Sequence, residues 1–178
     1  MVPLVNGEQY FWRFLAASDP EADAVIFRDA DAKPSRREKE AVDQWLESGL
    51  DYHIIRDSPW HQATILAGLW GCRGKVIPDM EKRIKNFVGL QYKLPFGADQ
   101  KFLDEAIYPE AKHGFIHSEF ARYSGEITHP IPSPRERMDW IGKPVYRPRT
   151  VKARELNFKK SLEEPQHAHH TDPRLGRR

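Results

Sequence analysis

A short apolar run that ends at two aspartates constrains the fold of this chain more than any other feature. Positions 24–27 read AVIF, and Arg28, Asp29, Ala30 and Asp31 follow directly. A β-branched and aromatic run of this length predicts a buried strand of the parallel type. Because ligands of open α/β sheets bind beyond the carboxyl ends of such strands, the pattern predicts a site at Asp29 and Asp31.

The spacing of the two aspartates indicates a metal site. If strand geometry continues through them, residues two apart point to the same side with Cα atoms about 6.6 Å apart, so both carboxylates face one ligand. Hard cations such as Mg²⁺ and Mn²⁺ take oxygen ligands and often share their shell with substrate phosphates. Aspartate also forms turns by bonding its own backbone, so a turn after the strand is the alternative.

The size and composition favour a single domain. A chain of 178 residues with 39% hydrophobic and 30% charged residues can bury one sizeable core. The sequence shows no apolar stretch of membrane-spanning length and no secretory signal, and its one cysteine, Cys72, cannot form an intrachain disulfide. These features predict a cytoplasmic protein with a buried, inert Cys72.

Positive charge concentrates near the C-terminus. Residues 143–178 hold ten Lys or Arg and four acidic residues, a net charge of +6, so the preceding residues carry −4 of the total of +2. Because this segment is also rich in Pro and His, we predict a domain at 1–148 and a flexible basic tail at 149–178. Such a tail could contact nucleic acid or an anionic surface, although solubility is the commoner role.

Helical and strand patterns alternate along the rest of the chain. They predict helices at 8–17, 35–49, 80–89 and around 102–107, and strands at 52–55 and 114–120. The second helix is the best specified, because Ser35 and Glu38 form a capping box and Gly49 supplies a left-handed stop. The glycine-broken run at 65–71 predicts a strand or tight turn, and the proline-rich segment from 124 predicts extended chain.

Several segments occur together in an order that is typical of one family. They are YFWRFL at 10–15, VIFRDADA at 25–32, RREK and VDQWL within 36–46, HIIRDSP at 53–59, GLWG at 68–71 and GADQ at 97–100. Through these segments, residues 8 to 145 resemble a family of bacterial and viral glycosyltransferase-like proteins of the GT-A fold. The resemblance implies an α/β, GT-A-like (Rossmann-like) mixed sheet flanked by helices. Only 28 residues precede Asp29, fewer than in the relatives, which implies an incomplete domain.

The resemblance also implies a metal site. Asp29 and Asp31 would be the metal and sugar-nucleotide aspartates, with Mn²⁺ or Mg²⁺ as the cofactor. A third ligand usually comes from a histidine near the end of the domain, and His117 is preferred to His113 and His129. A histidine on a strand is also often a hydrogen-bonded structural residue, so that alternative stays open.

Three further residues are implied to contact the substrate. Arg28 would contact phosphate or sugar, and Gln100 would bind substrate beside Asp99 in the same motif. Asp99 would act as a general base on the acceptor hydroxyl. Because Asp99 also stands where a helix begins, an N-cap role is an equal alternative.

Two more segments supply candidate substrate contacts. Arg56 and Asp57 end the second predicted strand, where Arg can bind phosphate bidentately and Asp can accept hydrogen bonds from sugar hydroxyls. Trp70 could offer a flat ring to a sugar, with Gly68 allowing close approach of the backbone. The alternatives are a local Arg–carboxylate pair and a core tryptophan.

The sequence therefore predicts a metal-dependent glycosyltransferase that moves a sugar from a nucleotide-sugar donor to a glycan or another hydroxyl acceptor. A non-catalytic remnant, or a glycan- or anion-binding module of the same fold, is the first alternative. A haloacid-dehalogenase-like phosphatase is the second, because such enzymes also place Asp-x-Asp after a strand. They usually carry Thr or Val two positions beyond the second aspartate, where this chain has Lys33.

Overall fold

The structure, a computed structural model, describes residues 8–90, 94–136, 139–145 and 157–163. A five-stranded mixed sheet is flanked by helices, which confirms the predicted α/β class. The elements are an N-terminal 3₁₀ helix (Glu8–Ser18), β1 (Ala24–Arg28), α1 (Arg36–Ser48), β2 (Tyr52–Arg56), β3 (Leu69–Arg73), α2 (Met80–Gly89), α3 (Ala98–Ala106), α4 (Tyr108–Ala111), β4 (Phe115–Ser118) and β5 (Thr128–His129). Residues 157–163 are also helical.

The strand order β1-β3-β2-β4-β5 brings several strand ends to one side of the sheet. β3 runs antiparallel to β1 and β2, whereas β2, β4 and β5 are parallel to one another. The strands β1, β2, β4 and β5 therefore end on the same side, which we call the carboxyl edge, and β3 begins there. Asp29, Asp57 and Glu119 directly follow β1, β2 and β4, so three acidic residues meet at this edge.

β1 differs from its prediction. It lies at the end of the sheet and pairs antiparallel with β3 over Ala24 to Arg28; no strand of the described residues pairs with its other side. Phe27 is buried, but Ile26 is 41% exposed. The prediction of a buried strand of the parallel type is therefore wrong, because a four-residue apolar run does not distinguish a half-covered edge strand from a central one.

Aromatic residues fill the layer between the sheet and the 3₁₀ helix, α2 and α3. The ring of Phe14 lies 5.6 Å from that of Phe27 and 5.9 Å from that of Phe102. Trp70 stacks on Phe27 with 4.3 Å between ring centroids. Such pairs contribute about 0.5–1.5 kcal/mol each beyond the area that they bury. The layer thus holds the 3₁₀ helix, and with it Arg13, firmly against β1.

α1 covers the opposite face, and its N-cap and C-terminal glycine are as predicted, but the Glu38 side chain pairs with Arg28 instead of completing the capping box. Ser35 accepts a hydrogen bond from the backbone N–H of Glu38 at 3.1 Å, and Gly49 follows the helix with φ +75°. An N-cap of this kind contributes about 1 kcal/mol. Trp45 packs over Gly71, where an added Cβ would lie 3.3 Å from the indole ring. The missing side chain at Gly71 lets α1 approach the sheet closely.

The chain after β5 wraps back over the carboxyl edge. The N–H of Val145 donates to the carbonyl of Asp31 at 2.8 Å, so this strap reaches the turn after β1. In the helix at 157–163, Phe158 is fully buried, and its ring lies 4.4 Å from that of Trp140 and 5.4 Å from that of Trp60. This segment is an exception to the flexible tail predicted for 149–178, because one aromatic side chain anchors it. The other residues of that tail lie outside the described ranges.

The run at 65–71 becomes a strand only from Leu69, and the strand predicted at 114–120 is confirmed as β4. Among the described residues, no helix has both the length and the apolar character that crossing a membrane requires.

Candidate functional site

Two polar clusters occupy the carboxyl edge, one on each face of the sheet. The outer cluster lies on the side of the 3₁₀ helix and α3, and its members are Arg13, Asp29 and Asp99. The buried cluster lies on the side of α1, and its members are Arg37, Asp57, Glu119 and Arg135. The outer cluster brings together two residues that the sequence singled out.

Arg13 holds the outer cluster together. Its Nη1 lies 2.8 Å from Asp29 Oδ1, and its Nη2 lies 2.8 Å from Asp99 Oδ2. Asp29 and Asp99 are 70 positions apart in the sequence, so only the fold brings them to one guanidinium. The side chains of Arg13, Asp29 and Asp99 are 34%, 59% and 23% exposed, so the cluster faces solvent.

Gly68 lies directly against the Asp29 carboxylate. An added Cβ at Gly68 would approach Asp29 Cγ to 2.5 Å and overlap the carboxylate oxygens. The glycine therefore leaves the space into which Asp29 folds toward Arg13. Gly68 was predicted to bind substrate, and its position beside the outer cluster is compatible with that prediction.

Asp99 enters the cluster from the first turn of α3. Gly97, with φ +76°, is the residue before that helix, and no side chain caps it. The N-cap alternative for Asp99 is therefore wrong; its Oδ1 instead accepts from the N–H of Gln100 at 2.9 Å. The Gln100 side chain, predicted to bind substrate, accepts from the N–H of Ala67 at 3.2 Å and donates to the carbonyl of Ile65. It braces the loop before β3.

Asp31 does not stand beside Asp29 in the way that strand geometry would require. The N–H of Ala32 donates to the carbonyl of Asp29 at 3.0 Å, so residues 29–32 form a turn. The expectation that both carboxylates point to the same side by strand alternation is therefore wrong, and the turn alternative is confirmed. Asp31 remains an exposed acidic residue next to the outer cluster in sequence.

His117 is too far from the outer cluster to share a metal ion with it. β4 lies three strands from β1, which corresponds to about 14 Å at the usual spacing between strands. The prediction that His117 completes a metal site with Asp29 and Asp31 is therefore wrong. His129 lies one strand farther, in β5, and His113 precedes β4 at the opposite edge of the sheet.

His117 belongs instead to a buried hydrogen-bonded network beneath α1. Its Nε2 donates to Gln44 Oε1 at 2.9 Å, and its Nδ1 accepts from His53 Nε2 at 2.8 Å. Both imidazoles are neutral in this arrangement, because burial lowers the pKa of each, and among the described residues His53 Nδ1 is buried without a hydrogen-bond partner. Burial, together with the neighbouring His129 and Arg37, lowers the pKa of His117 to about 4.

The described residues contain no group of three or more His, Cys, Asp and Glu side chains arranged to hold a metal ion. The outer cluster offers two carboxylates, and Arg13 supplies the positive charge between them. Mg²⁺ is commonly bound by one or two carboxylates together with substrate phosphates and water. The two carboxylates therefore do not form a metal site within the described residues, and binding of Mn²⁺ or Mg²⁺ at this cluster stays a prediction.

Asp57 is fully engaged by protein groups in the buried cluster. Arg37 donates to both of its oxygens, at 3.0 and 3.1 Å, and Arg135 Nη2 approaches Oδ1 to 2.6 Å. The N–H of Ile141 donates to Oδ2 at 2.9 Å, and the side chain is 0% exposed. The prediction that Asp57 accepts hydrogen bonds from sugar hydroxyls is therefore wrong; this carboxylate links the strap to α1 and β2.

Arg56 is likewise structural. It is fully buried and pairs with Glu126 through contacts of 2.8 and 2.6 Å. Its remaining N–H groups donate to the carbonyls of Ala63, Thr64 and Ala121. The prediction that Arg56 binds phosphate is wrong, because no donor of its guanidinium is left for a ligand.

Arg28 and Trp70 also differ from their predicted roles. The Arg28 side chain pairs with Glu38 of α1, on the face of the sheet opposite to the outer cluster. Its guanidinium therefore does not lie beside the Asp29 carboxylate, where a shared phosphate contact would need it. Trp70 is 0% exposed and stacks on Phe27 in the core. The proposed sugar-stacking role of Trp70 is therefore wrong, and the core alternative is confirmed.

Sequence reasoning missed Arg13 as a functional candidate. The signal was present, because Arg13 is the one charged residue in the run YFWRFL, whose Phe11 and Phe14 are fully buried. A charged residue beside two core positions of a helix must reach a partner at the rim of the core. Here it reaches both acids of the outer cluster.

A separate cleft of about 400 Å³ lies between the start of α1 and the strap. Ser35, Arg37, Pro132 and Trp140 are among its lining residues, and no member of the outer cluster is. Comparison of the chain with models of known protein families, with curated proteins and with solved structures gives no significant match.

Proposed function

We propose that this protein is a metal-dependent glycosyltransferase that acts at the outer cluster, with a nucleotide sugar as the donor and a hydroxyl group as the acceptor. The observation that carries the proposal is the convergence of Asp29 and Asp99 on one guanidinium at the carboxyl edge. Ligands of open α/β sheets bind at such edges. The buried and fully bonded Asp57 and Arg56 are not part of this proposal.

Each member of the cluster has a role in the proposal. Asp29, with Asp31 in the adjacent turn, would hold Mn²⁺ or Mg²⁺. When bound, the ion would neutralise negative charge on the departing diphosphate. Asp99 faces the cluster from α3 and pairs with Arg13. Once this ion pair separates, Asp99 would accept a proton from the acceptor hydroxyl. Gly68 leaves the space that the Asp29 carboxylate occupies.

The proposal includes a cytoplasmic location. Cys72 is buried, and burial raises the pKa of its thiol to about 12, so it is an unreactive core residue rather than a redox or nucleophilic group. This supports the expectation of a chain that functions without disulfides.

The ion pairs of Arg13 also favour a second candidate, a binding module of the same fold without catalysis. Arg13 already pairs with both carboxylates, so the cluster as it stands could bind the hydroxyl groups of a glycan by hydrogen bonds, without a metal ion. This candidate predicts ligand binding without metal dependence and without turnover.

A thermal-shift and hydrolysis assay separates the two candidates. The wild type is incubated with a panel of UDP- and GDP-sugars, with and without Mn²⁺, beside Asp29→Asn and Asp99→Asn. Glu81→Gln and Glu105→Gln are matched controls, because each removes an exposed helical carboxylate that pairs with a lysine four residues away. The glycosyltransferase proposal expects a Mn²⁺-dependent shift and sugar release in the wild type and controls, and neither in Asp29→Asn. Asp99→Asn should keep the shift but lose sugar release, because Asp99 is proposed as the general base.

Other outcomes have definite meanings. A shift that needs a sugar nucleotide but not Mn²⁺, without turnover, would support the binding module. Hydrolysis of p-nitrophenyl phosphate that is lost in Asp29→Asn would favour the phosphatase alternative. Equal behaviour of Asp29→Asn and Glu81→Gln in every assay would contradict a site at the outer cluster.

A further inference from the structure

Backbone groups along one border of β1 have no partner strand in the described part of the chain. The N–H of Gly74 donates to the carbonyl of Asp23 at 2.8 Å, which makes these two residues a hydrogen-bonded pair of the ladder between β1 and β3. Such pairs alternate along an antiparallel ladder, so Val25 and Phe27 also bond to β3. The other residues of β1 direct their backbone N–H and C=O groups away from β3, and these are Ala24, Ile26 and Arg28.

This free border is regular enough to accept another strand. The register with β3 runs without a bulge along the whole of β1, and β1 contains neither Pro nor Lys, which commonly block the addition of a strand. Ile26, at the centre of β1, is 41% exposed. Its side chain lies on the face that α1 covers, because Arg28, two positions on, pairs with Glu38 of α1. The border thus offers ladder positions and an apolar contact.

Acidic side chains flank the free border at both ends. Asp23 and Asp29 stand three positions before and after Ile26, and both are exposed. No basic side chain of the described residues forms an ion pair with Asp23. In an added strand, the residues three positions on either side of the one opposite Ile26 would face these two acids. More exposed acids lie just beyond them, at Asp19, Glu21 and Asp31.

We propose that the free border of β1 binds an extended segment of a partner protein, in which a basic residue stands three positions on either side of an apolar residue. The main chain of this segment continues the sheet, as in other cases of strand addition. Its apolar residue lies opposite Ile26, and its basic residues lie opposite Asp23 and Asp29. The acids therefore favour a basic partner and disfavour an acidic one. Binding at this border requires neither a metal ion nor catalysis.

The test is an NMR titration of the full chain with the peptide Lys-Thr-Thr-Val-Thr-Thr-Lys, in which amide hydrogen exchange is read residue by residue. Without peptide, the amide of Ile26 should exchange fast, whereas the amides of Val25 and Phe27 should be protected by β3. The peptide should slow the exchange of Ile26 by about tenfold or more and leave Val25 and Phe27 unchanged. A peptide with an N-methyl group on its valine cannot donate to the carbonyl of Ile26 and should not bind.

Two charge-reversal variants test the role of the acids. Asp23→Lys puts a like charge opposite the peptide lysine and should weaken binding about tenfold. A peptide with Glu in place of both Lys should bind Asp23→Lys more tightly than it binds the wild type. Asp51→Lys is the matched control, because Asp51 is an exposed acid directly before β2, and β2 is paired on both sides. This variant should bind the lysine peptide as the wild type does.

Slow exchange of the Ile26 amide without peptide would overturn the proposal. If that protection did not depend on protein concentration, the chain itself would cover the border, and if it grew with concentration, a second copy would. Failure of the lysine peptide to bind would also overturn it. Equal binding of the N-methylated peptide, or equal weakening by Asp23→Lys and Asp51→Lys, would indicate charge attraction without strand addition and would be equally decisive against it.

Discussion

The outer and buried clusters contain the same kinds of side chains at the same edge of one sheet, but they differ in what their carboxylates contact. Asp57 accepts four hydrogen bonds from Arg37, Arg135 and Ile141 and is wholly excluded from solvent. Asp29 is 59% exposed, and in the described part of the chain Arg13 is the side chain that pairs with it. An acid at a strand end can therefore be structural or available to a ligand, and its unoccupied oxygen lone pairs decide which.

The largest effect expected from this comparison is on stability. Asp57→Ala leaves Arg37 and Arg135 with Glu119 as their one remaining acidic partner in the cluster, so one largely buried positive charge is uncompensated. The variant should lower the free energy of unfolding by about 3–5 kcal/mol. Asp29→Ala removes an exposed pair and should cost about 1 kcal/mol or less. Urea unfolding of both variants measures the difference. Equal losses would show that the two carboxylates do not differ as their burial indicates.

The second-largest effect is expected from acidification, which should destabilise the face of the sheet that α1 covers. His117 has a folded pKa of about 4, below its ordinary value near 6.5, so the unfolded state binds more protons between these two values. Stability should therefore fall as the pH is lowered from 6.5 to 4, by on the order of 2–3 kcal/mol for this residue.

Unfolding midpoints of the wild type and His117→Gln across this range check the pH prediction. The variant should show a flatter dependence, whereas His113→Gln, at the opposite edge of the sheet, should follow the wild type. Parallel curves for the wild type and His117→Gln would contradict the assignment of the proton uptake to the buried histidines.

Alanine substitutions at two glycines test the same comparison, because an added Cβ would meet a movable side chain at one glycine and rigid backbone at the other. An alanine Cβ at Gly68 would overlap the side chain of Asp29, which is exposed and can move, so Gly68→Ala should cost under about 1 kcal/mol. An alanine Cβ at Gly74 would collide with the backbone carbonyl of Ala22, which cannot move cheaply, so Gly74→Ala should cost several times as much. Thermal denaturation ranks the two variants, and the reverse order would contradict the placement of Asp29.

The smallest effect concerns salt. The pair between Arg13 and Asp29 is partly exposed, so its coupling energy, from a double-mutant cycle with Arg13→Gln and Asp29→Asn, should be about 0.2–1 kcal/mol at low salt. At about 1 M salt this coupling should approach zero because screening acts over roughly 3 Å. The coupling between Arg37 and Asp57 should keep most of its value. A salt-independent coupling for Arg13 would mean that this pair is more enclosed than its exposure indicates.

Features set by neighbouring residues were predictable from the sequence. The α1 helix follows from Ser35 and Gly49, which lie within one short segment and determine where the helix begins and ends. The positions of Asp29 and Asp57 directly after two strands were predictable as well, whereas Glu119 after β4 was not singled out. These predictions depend on contacts that are local or set by strand direction.

The roles of individual acids depend on partners that are distant in sequence. Asp57 is engaged by Arg135, 78 positions later, and Asp99 is reached by Arg13, 86 positions earlier. Neither pairing leaves a periodic signal in the chain. The position of β1 at the sheet end has the same origin, because its neighbour β3 follows after two intervening elements. A pattern of side chains predicts where a strand lies but not what covers it.

On one side of β1 no strand of the described ranges pairs, so this border presents a template for the same strand of another molecule. Antiparallel pairing of two copies centred on Ile26 would set Asp23 of one copy directly opposite Asp29 of the other, twice in each dimer. Like charges directly opposite one another destabilise a ladder, and exposed strand borders are commonly protected in this manner. The aspartate that completes the outer cluster thus also discourages self-association, so its neutralisation should favour aggregation through this border.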